Sequence, residues 1–216
     1  MTNKTENILS LNHDEAMDFF LKSELYHGFE LPEYFVFDEL LQSVKKAVGE
    51  TPYDECLQDG VSPEQLSEVN LDILLNKDGR YAVRPIILAN PFLYYFLVRE
   101  ICNEQSWTII KQLFEKFNVP RITSCALPVI PKEEESFHKS ATILNWWSSV
   151  EQRSIELSLE YRYMFVTDIT NCYGSVNPQS FDWAFSLKGT EHEQKTENPI
   201  ANNIKKYLRA FQQGRN

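Results

Sequence analysis

The chain has 216 residues, 43% of them hydrophobic, and a formal net charge of −10, which suits one large domain or two small ones around a real core. No apolar run approaches the roughly 18–20 residues that span a bilayer, and the polar, acidic start MTNKTENILSLNHDE is unlike a secretory signal, so a cytoplasmic protein with no membrane partner is expected. Cys56, Cys102, Cys125 and Cys172 show no CxxC spacing and the four histidines are scattered, which argues against a zinc cluster or a disulfide framework and for reduced, mostly buried thiols.

The charge is uneven. Residues 1–70 hold 4 Lys+Arg against 15 Asp+Glu, residues 71–121 hold 7 against 5, and residues 122–216 hold 10 against 11. The acidity therefore belongs to the first third, whereas the final IANNIKKYLRAFQQGRN carries four cations and no acid. A polyanion is not repelled by the whole of such a surface, and this last helix is the natural place for it to meet a phosphate backbone.

In chain order, DEAMDFFLKSEL and EYFVFDELLQSVKKAV space their apolar residues by three or four and predict two short amphipathic helices, separated by the turn-like HGFELP. TPYDECLQDGVSPEQLSE reads as a loop. LDILLNKDGRYAVRPIIL predicts a two-stranded ribbon with a basic tip, in which Asp78 and Gly79 supply the turn. Asn90 and Pro91 form an N-cap and first-turn pair, and FLYYFLVREICNEQSWTIIKQLFEKF continues with helical periodicity for about seven turns. After a Pro-containing loop, NWWSSVEQRSIELSLEYRY predicts an amphipathic helix anchored by Trp146 and Trp147. RYMFVTDI is apolar and β-rich and predicts a strand ending in Asp168. TNCYGSV then turns into a helix containing FDWAFSLK, and a last helix begins near Pro199. The order is α+β with few strands for its length, and a sheet built from these strands alone is short of partners.

A strand that delivers one carboxylate into a turn suits a Mg²⁺ site completed by substrate phosphates; the alternative is an Asp that caps the next helix. The stretch FVTDITNCYGSV resembles motif A of reverse transcriptases, with the metal-binding acid at Asp168 and the aromatic residue five positions later at Tyr173. KDGRYAVRPIILANPFLYYFLVREI resembles the fingers hairpin of the same enzymes. ELPEYFVFDELL, NWWSSVEQRSIELSLEYRY and SVNPQSFDWAF are similar to the bacterial retron-like and phage-defence members. These matches cover most of residues 13–213, in order.

The resemblance implies a right-hand polymerase fold of which this chain carries an N-terminal acidic helical region (1–60), a fingers-like region (61–160) and a partial palm with motif A (161–216). It implies an RNA-directed DNA polymerase of antiviral defence, with RNA template, DNA primer and dNTP as partners. Asp168 and the backbone carbonyl of Ile169 would hold two Mg²⁺ ions, Lys77 and Arg84 would neutralise the triphosphate, and the ring of Tyr173 would lie under the sugar. Without the resemblance, Lys77 is a solvated turn residue, Arg84 a surface ion-pair residue and Tyr173 core. The family's Tyr-x-Asp-Asp hairpin, the Gly-x-Pro-Gln-Gly-like stretch and the thumb have no counterpart in these 216 residues. Two divalent cations about 3.5–4 Å apart need several anions to offset their repulsion, so a truncated or split N-terminal half, inactive alone and completed by a second chain, is expected. A noncatalytic nucleic-acid or protein-binding module that retains the fold is the alternative. Missing sheet partners also predict a poorly covered apolar surface.

Overall fold

The computed structural model describes residues 5–29, 31–32, 34–56, 60–66, 68–76, 79, 83–119, 122, 124–132, 138–168, 176–185 and 198–212. Its helices are α1 (His13–Phe20), α2 (Ser23–Tyr26), α3 (Asp38–Val48), α4 (Tyr53–Cys56), α5 (Pro91–Ile101), α6 (Glu104–Phe117), α7 (His138–Ser158), α8 (Ser180–Phe185) and α9 (Pro199–Phe211). Its strands are β1 (Thr5–Asn7), β2 (Leu71–Asn76), β3 (Val83–Leu88) and β4 (Val129–Pro131). Two separate antiparallel pairs, β1 with β4 and β2 with β3, make up the described sheet structure, so the chain is α+β and dominated by helices.

Local chemistry sets the helix starts. Asn12 and Glu15 form a capping box on α1, each side chain accepting the other's backbone N–H at 2.9 Å. Asn90 and Asn198 use one device twice: the side-chain oxygen takes two orphan N–H groups of the first turn, and a proline at the first helical position has none to lose. The seven-turn helix expected from residue 91 onward is broken instead into α5 and α6. Asn103 leaves the helical region (φ −60°, ψ 140°) and its side chain accepts from Gln105 N. An Asn offers the backbone this local alternative, and the apolar period that continues on either side conceals it.

α5 is the central element. Its Leu93, Tyr95, Phe96, Leu97 and Val98 are buried, and α1, α3, α6 and α9 pack around it. One core cluster runs from Ile8 to Ala210, drawing on all three sequence regions. Long-range hydrogen bonds fix the surrounding elements to it: Tyr95 Oη and Arg99 Nη1 both donate to the Gly49 carbonyl at 3.0 Å, and Arg99 Nη1 also reaches Thr51 O at 2.8 Å. Gly49 ends α3 with φ +52°, a region L side chains enter at a cost. From α6, Trp107 Nε1 and Lys111 Nζ donate to Leu11 O at 3.0 and 2.9 Å. The phenol of Tyr26 donates to Ala89 O, and that of Tyr94 to Phe20 O at 2.6 Å.

These buried acids predict an alkaline limit. Burial pushes the Cys102 thiol from 9.0 up to about 12 and the Tyr26 phenol from 10.0 up to about 12, and it raises Tyr94 and Tyr207 as well. Each group is protonated in the native state while its unfolded counterpart has already lost the proton, so the unfolded chain binds fewer protons and stability falls as pH rises. The contribution is intact below about pH 9 and is lost between there and about pH 12. Melting temperature is expected to drop across this window; a flat melting temperature up to pH 11 would contradict it.

One expected strand is not formed. Residues 162–168 join no ladder with a described residue, and Tyr163, Met164, Phe165 and Val166 are 87, 76, 90 and 77% exposed. The β preference of these residues is satisfied only when a neighbouring strand takes up their N–H and C=O groups. Exposed apolar side chains, as expected, are therefore present, and α7 carries others, Leu144 and Trp147 being 68 and 60% exposed.

Candidate functional site

The ribbon carrying the basic candidates is antiparallel, with Leu71 opposite Leu88 and Asn76 opposite Val83. Arg84 sits in β3 opposite Leu75, one pair below the tip. Gly79, in the expected turn, has φ +137°, as a glycine there allows. Lys77 lies outside the described residues. The base of the ribbon is held by two asparagines. Asn70 accepts from Asn90 N at 2.9 Å and donates to Ala210 O in α9 at 3.0 Å, while Asn90 Nδ2 donates to Val69 O at 3.2 Å. β2, α5 and α9 therefore meet at one amide pair. Asn90 is legible in the sequence as a cap; Asn70 is not, because its partners are 20 and 140 residues away.

Asp168 ends the unladdered segment as an exposed residue. Ile169 and Tyr173 lie outside the described residues, as does the turn that Asp168 would cap in the alternative reading. Among the described residues no group of three or more His, Cys, Asp or Glu side chains converges. The next acid along the chain, Asp182 of α8, is bonded to Lys205 Nζ at 2.6 Å. One carboxylate does not offset the mutual repulsion of two Mg²⁺ ions, so the described donor set does not fit that pair.

A cleft of about 450 Å³ opens elsewhere, between β1, β4 and α7. Asn145, Ser149, Gln152 and Arg153 line it from successive turns of α7, facing Thr5 and Asn7 of β1. Half of its lining is neutral amide and hydroxyl; Glu6, Arg153 and Glu156 are charged, and Arg153 is bonded to Glu156 at 2.8 Å. Asp168 is not among its described lining residues. The cleft was illegible in the sequence because it exists only once β1 and β4, each three residues long, have paired across more than 120 positions.

The C-terminal helix differs from the expected cationic face. Lys205 of α9 is buried against Asp182, and Arg209 bonds Glu64 at 3.0 Å, so two of its cations tie the helix to the fold. Lys206 is exposed. Among the described residues no helix is long and apolar enough to cross a membrane. No protein-family model matches the chain, and no curated protein matches it significantly.

Proposed function

We propose that this chain is the fingers and first palm segment of an RNA-directed DNA polymerase of antiviral defence, contributing nucleotide contacts and one carboxylate to a site that other acids must complete. The observation that carries the reading is the segment before Asp168: four apolar, β-prone residues 76–90% exposed are what a palm strand without its sheet would look like. The ribbon running directly into the Asn90-capped α5 supports it as well. In this reading Lys77 and Arg84 neutralise the triphosphate of a dNTP, the planar fork of Arg suiting two oxygens at once, and the ring of Tyr173 packs under the sugar. Asp168 is one acid of the set that would hold the Mg²⁺ ions.

Two measurements test it. Primer extension on an RNA template with Mg²⁺ is expected to give no product from this chain alone; product abolished by Asp168→Ala would overturn the inactive-half reading. A labelled dNTP is expected to bind, and Arg84→Ala to weaken it roughly 10- to 100-fold, the worth of one charge-assisted contact. Equal affinity in the variant would remove Arg84 from the nucleotide site.

A noncatalytic, protein-binding reading draws on a different observation. In the acidic first third Tyr34, Val36 and Leu40 are 79, 63 and 43% exposed, with Asp38 and Glu39 between them. Binding of a partner that is indifferent to Asp168→Asn and to Mg²⁺ would favour it.

A further inference from the structure

We propose that the cleft between β1, β4 and α7 binds a short extended, uncharged peptide segment of a partner protein, held by its backbone. The inference rests on this cleft alone and holds whether or not the chain belongs to a polymerase.

The α7 wall sets the length and the chemistry. Val129 N donates to Thr142 Oγ1 at 3.2 Å, which ties β4 to the N-terminal half of α7. Beside the rest of that helix opens the cleft of about 450 Å³, a volume within the range of ligand sites. Asn145, Ser149, Gln152 and Glu156 recur along the wall at intervals of three and four residues, so they share one face of the helix. From first to last they span about 16 Å at the helical rise, the reach of about five residues of extended chain. A carboxamide carries two donors and an oxygen with two lone pairs, so Asn145 and Gln152 can each take up a peptide N–H and a peptide C=O. Across from them Leu127 and Val129 add apolar surface, which suits aliphatic side chains that alternate to the other side of an extended segment.

The same lining disfavours other ligands. Its charged residues are Glu6, Arg153 and Glu156, two acids against one base, and Arg153 is already bonded to Glu156 at 2.8 Å. A phosphate-rich ligand therefore meets net negative charge here. No aromatic ring is among the described lining residues, so the stacking platform that holds single-stranded bases is missing from them. An uncharged sugar would bring hydroxyls to the apolar surface of Leu127 and Val129. A peptide backbone brings one donor and one acceptor per residue to the amide wall, and its side chains meet the apolar one.

Side-chain amide resonances of the isotope-labelled chain give the test. The probes are a positional-scanning set of pentapeptides capped at both ends, so that they carry no terminal charge. At least one sequence is expected to shift the Asn145 and Gln152 amide signals along a saturable curve. Methylating the backbone nitrogens of that peptide keeps its side chains but removes its donors, and should weaken binding about tenfold. N145L and Q152L should each weaken binding of the unmethylated peptide about fivefold to tenfold. Gln152 is exposed, so Q152L is expected to leave the backbone amide spectrum unchanged away from the cleft. A set in which no pentapeptide moves these signals, a methylated peptide that binds as tightly as its parent, or variants as tight as wild type would each overturn the proposal. So would maltotriose or an RNA oligonucleotide that moves the same signals at lower concentration than any of the pentapeptides.

Discussion

Phe96→Ala is expected to lower the unfolding free energy by about 3–5 kcal/mol, the range for deleting a fully buried aromatic ring. The ring is 2% exposed at the middle of α5, the helix that the others surround. Tyr53 meets it edge-on at 5.2 Å, Tyr207 of α9 lies parallel at 6.3 Å, and the Arg99 guanidinium stands 4.7 Å from its centroid. Truncation therefore opens a cavity shared by α5, α9 and Tyr53 of α4, and withdraws the aromatic face from a cation that also holds the Gly49 and Thr51 carbonyls. For a domain of this size the loss corresponds to a melting temperature lower by roughly 10 °C. Phe96→Leu, which keeps most of the volume, is expected to cost less than half as much. A melting temperature within two or three degrees of wild type for Phe96→Ala, measured by calorimetry, would mean that the aromatic cluster is not the centre of stability.

How far the sequence carried depended on the range of the interaction. The start of α5 was legible because a cap involves residues only two or three apart, Asn90 with Phe92 and Leu93; the caps at Asn12 and Asn198 are as local but were not singled out. The ribbon was legible because its two strands alternate and are joined locally. The pairing of β1 with β4 was not, since three residues carry too little pattern to announce a partner so far along the chain. The break at Asn103 was hidden by periodicity on both sides. The apolar run before Asp168 was read correctly in composition and incorrectly as a formed strand, because propensity states what a segment prefers and not whether a neighbour is present. The candidate site is legible as residue types alone: Asp168 is placed on an exposed segment and Arg84 in β3, while Lys77, Ile169 and Tyr173 fall outside the described residues. The cations of the last helix misled in the opposite direction. Counted as charge they suggested a phosphate-facing surface, whereas two of them pair with acids of the fold itself.

That internal use gives the second large expected effect. Lys205 is 11% exposed by its side chain, its partner Asp182 is 36% exposed, and they are 2.6 Å apart. Asp182→Ala takes the carboxylate away from a nearly buried ammonium. Losing one partner of a fully buried pair costs about 3–5 kcal/mol; the solvent that reaches Asp182 reduces this to about 1–3 kcal/mol. Lys205→Met removes the charge together with its requirement and keeps the unbranched stem, so it is expected to be near neutral or stabilising. The pair of Arg209 with Glu64, whose side chains are 39 and 35% exposed, supplies the comparison: Glu64→Ala should cost no more than about 1 kcal/mol. Denaturant unfolding of the three variants should therefore rank Asp182→Ala well below Glu64→Ala, with Lys205→Met at or above wild type. If Lys205→Met were as damaging as Asp182→Ala, the ion pair would have to be a net contributor to stability, and α9 would be held by its charge and not by the apolar face it buries against α5.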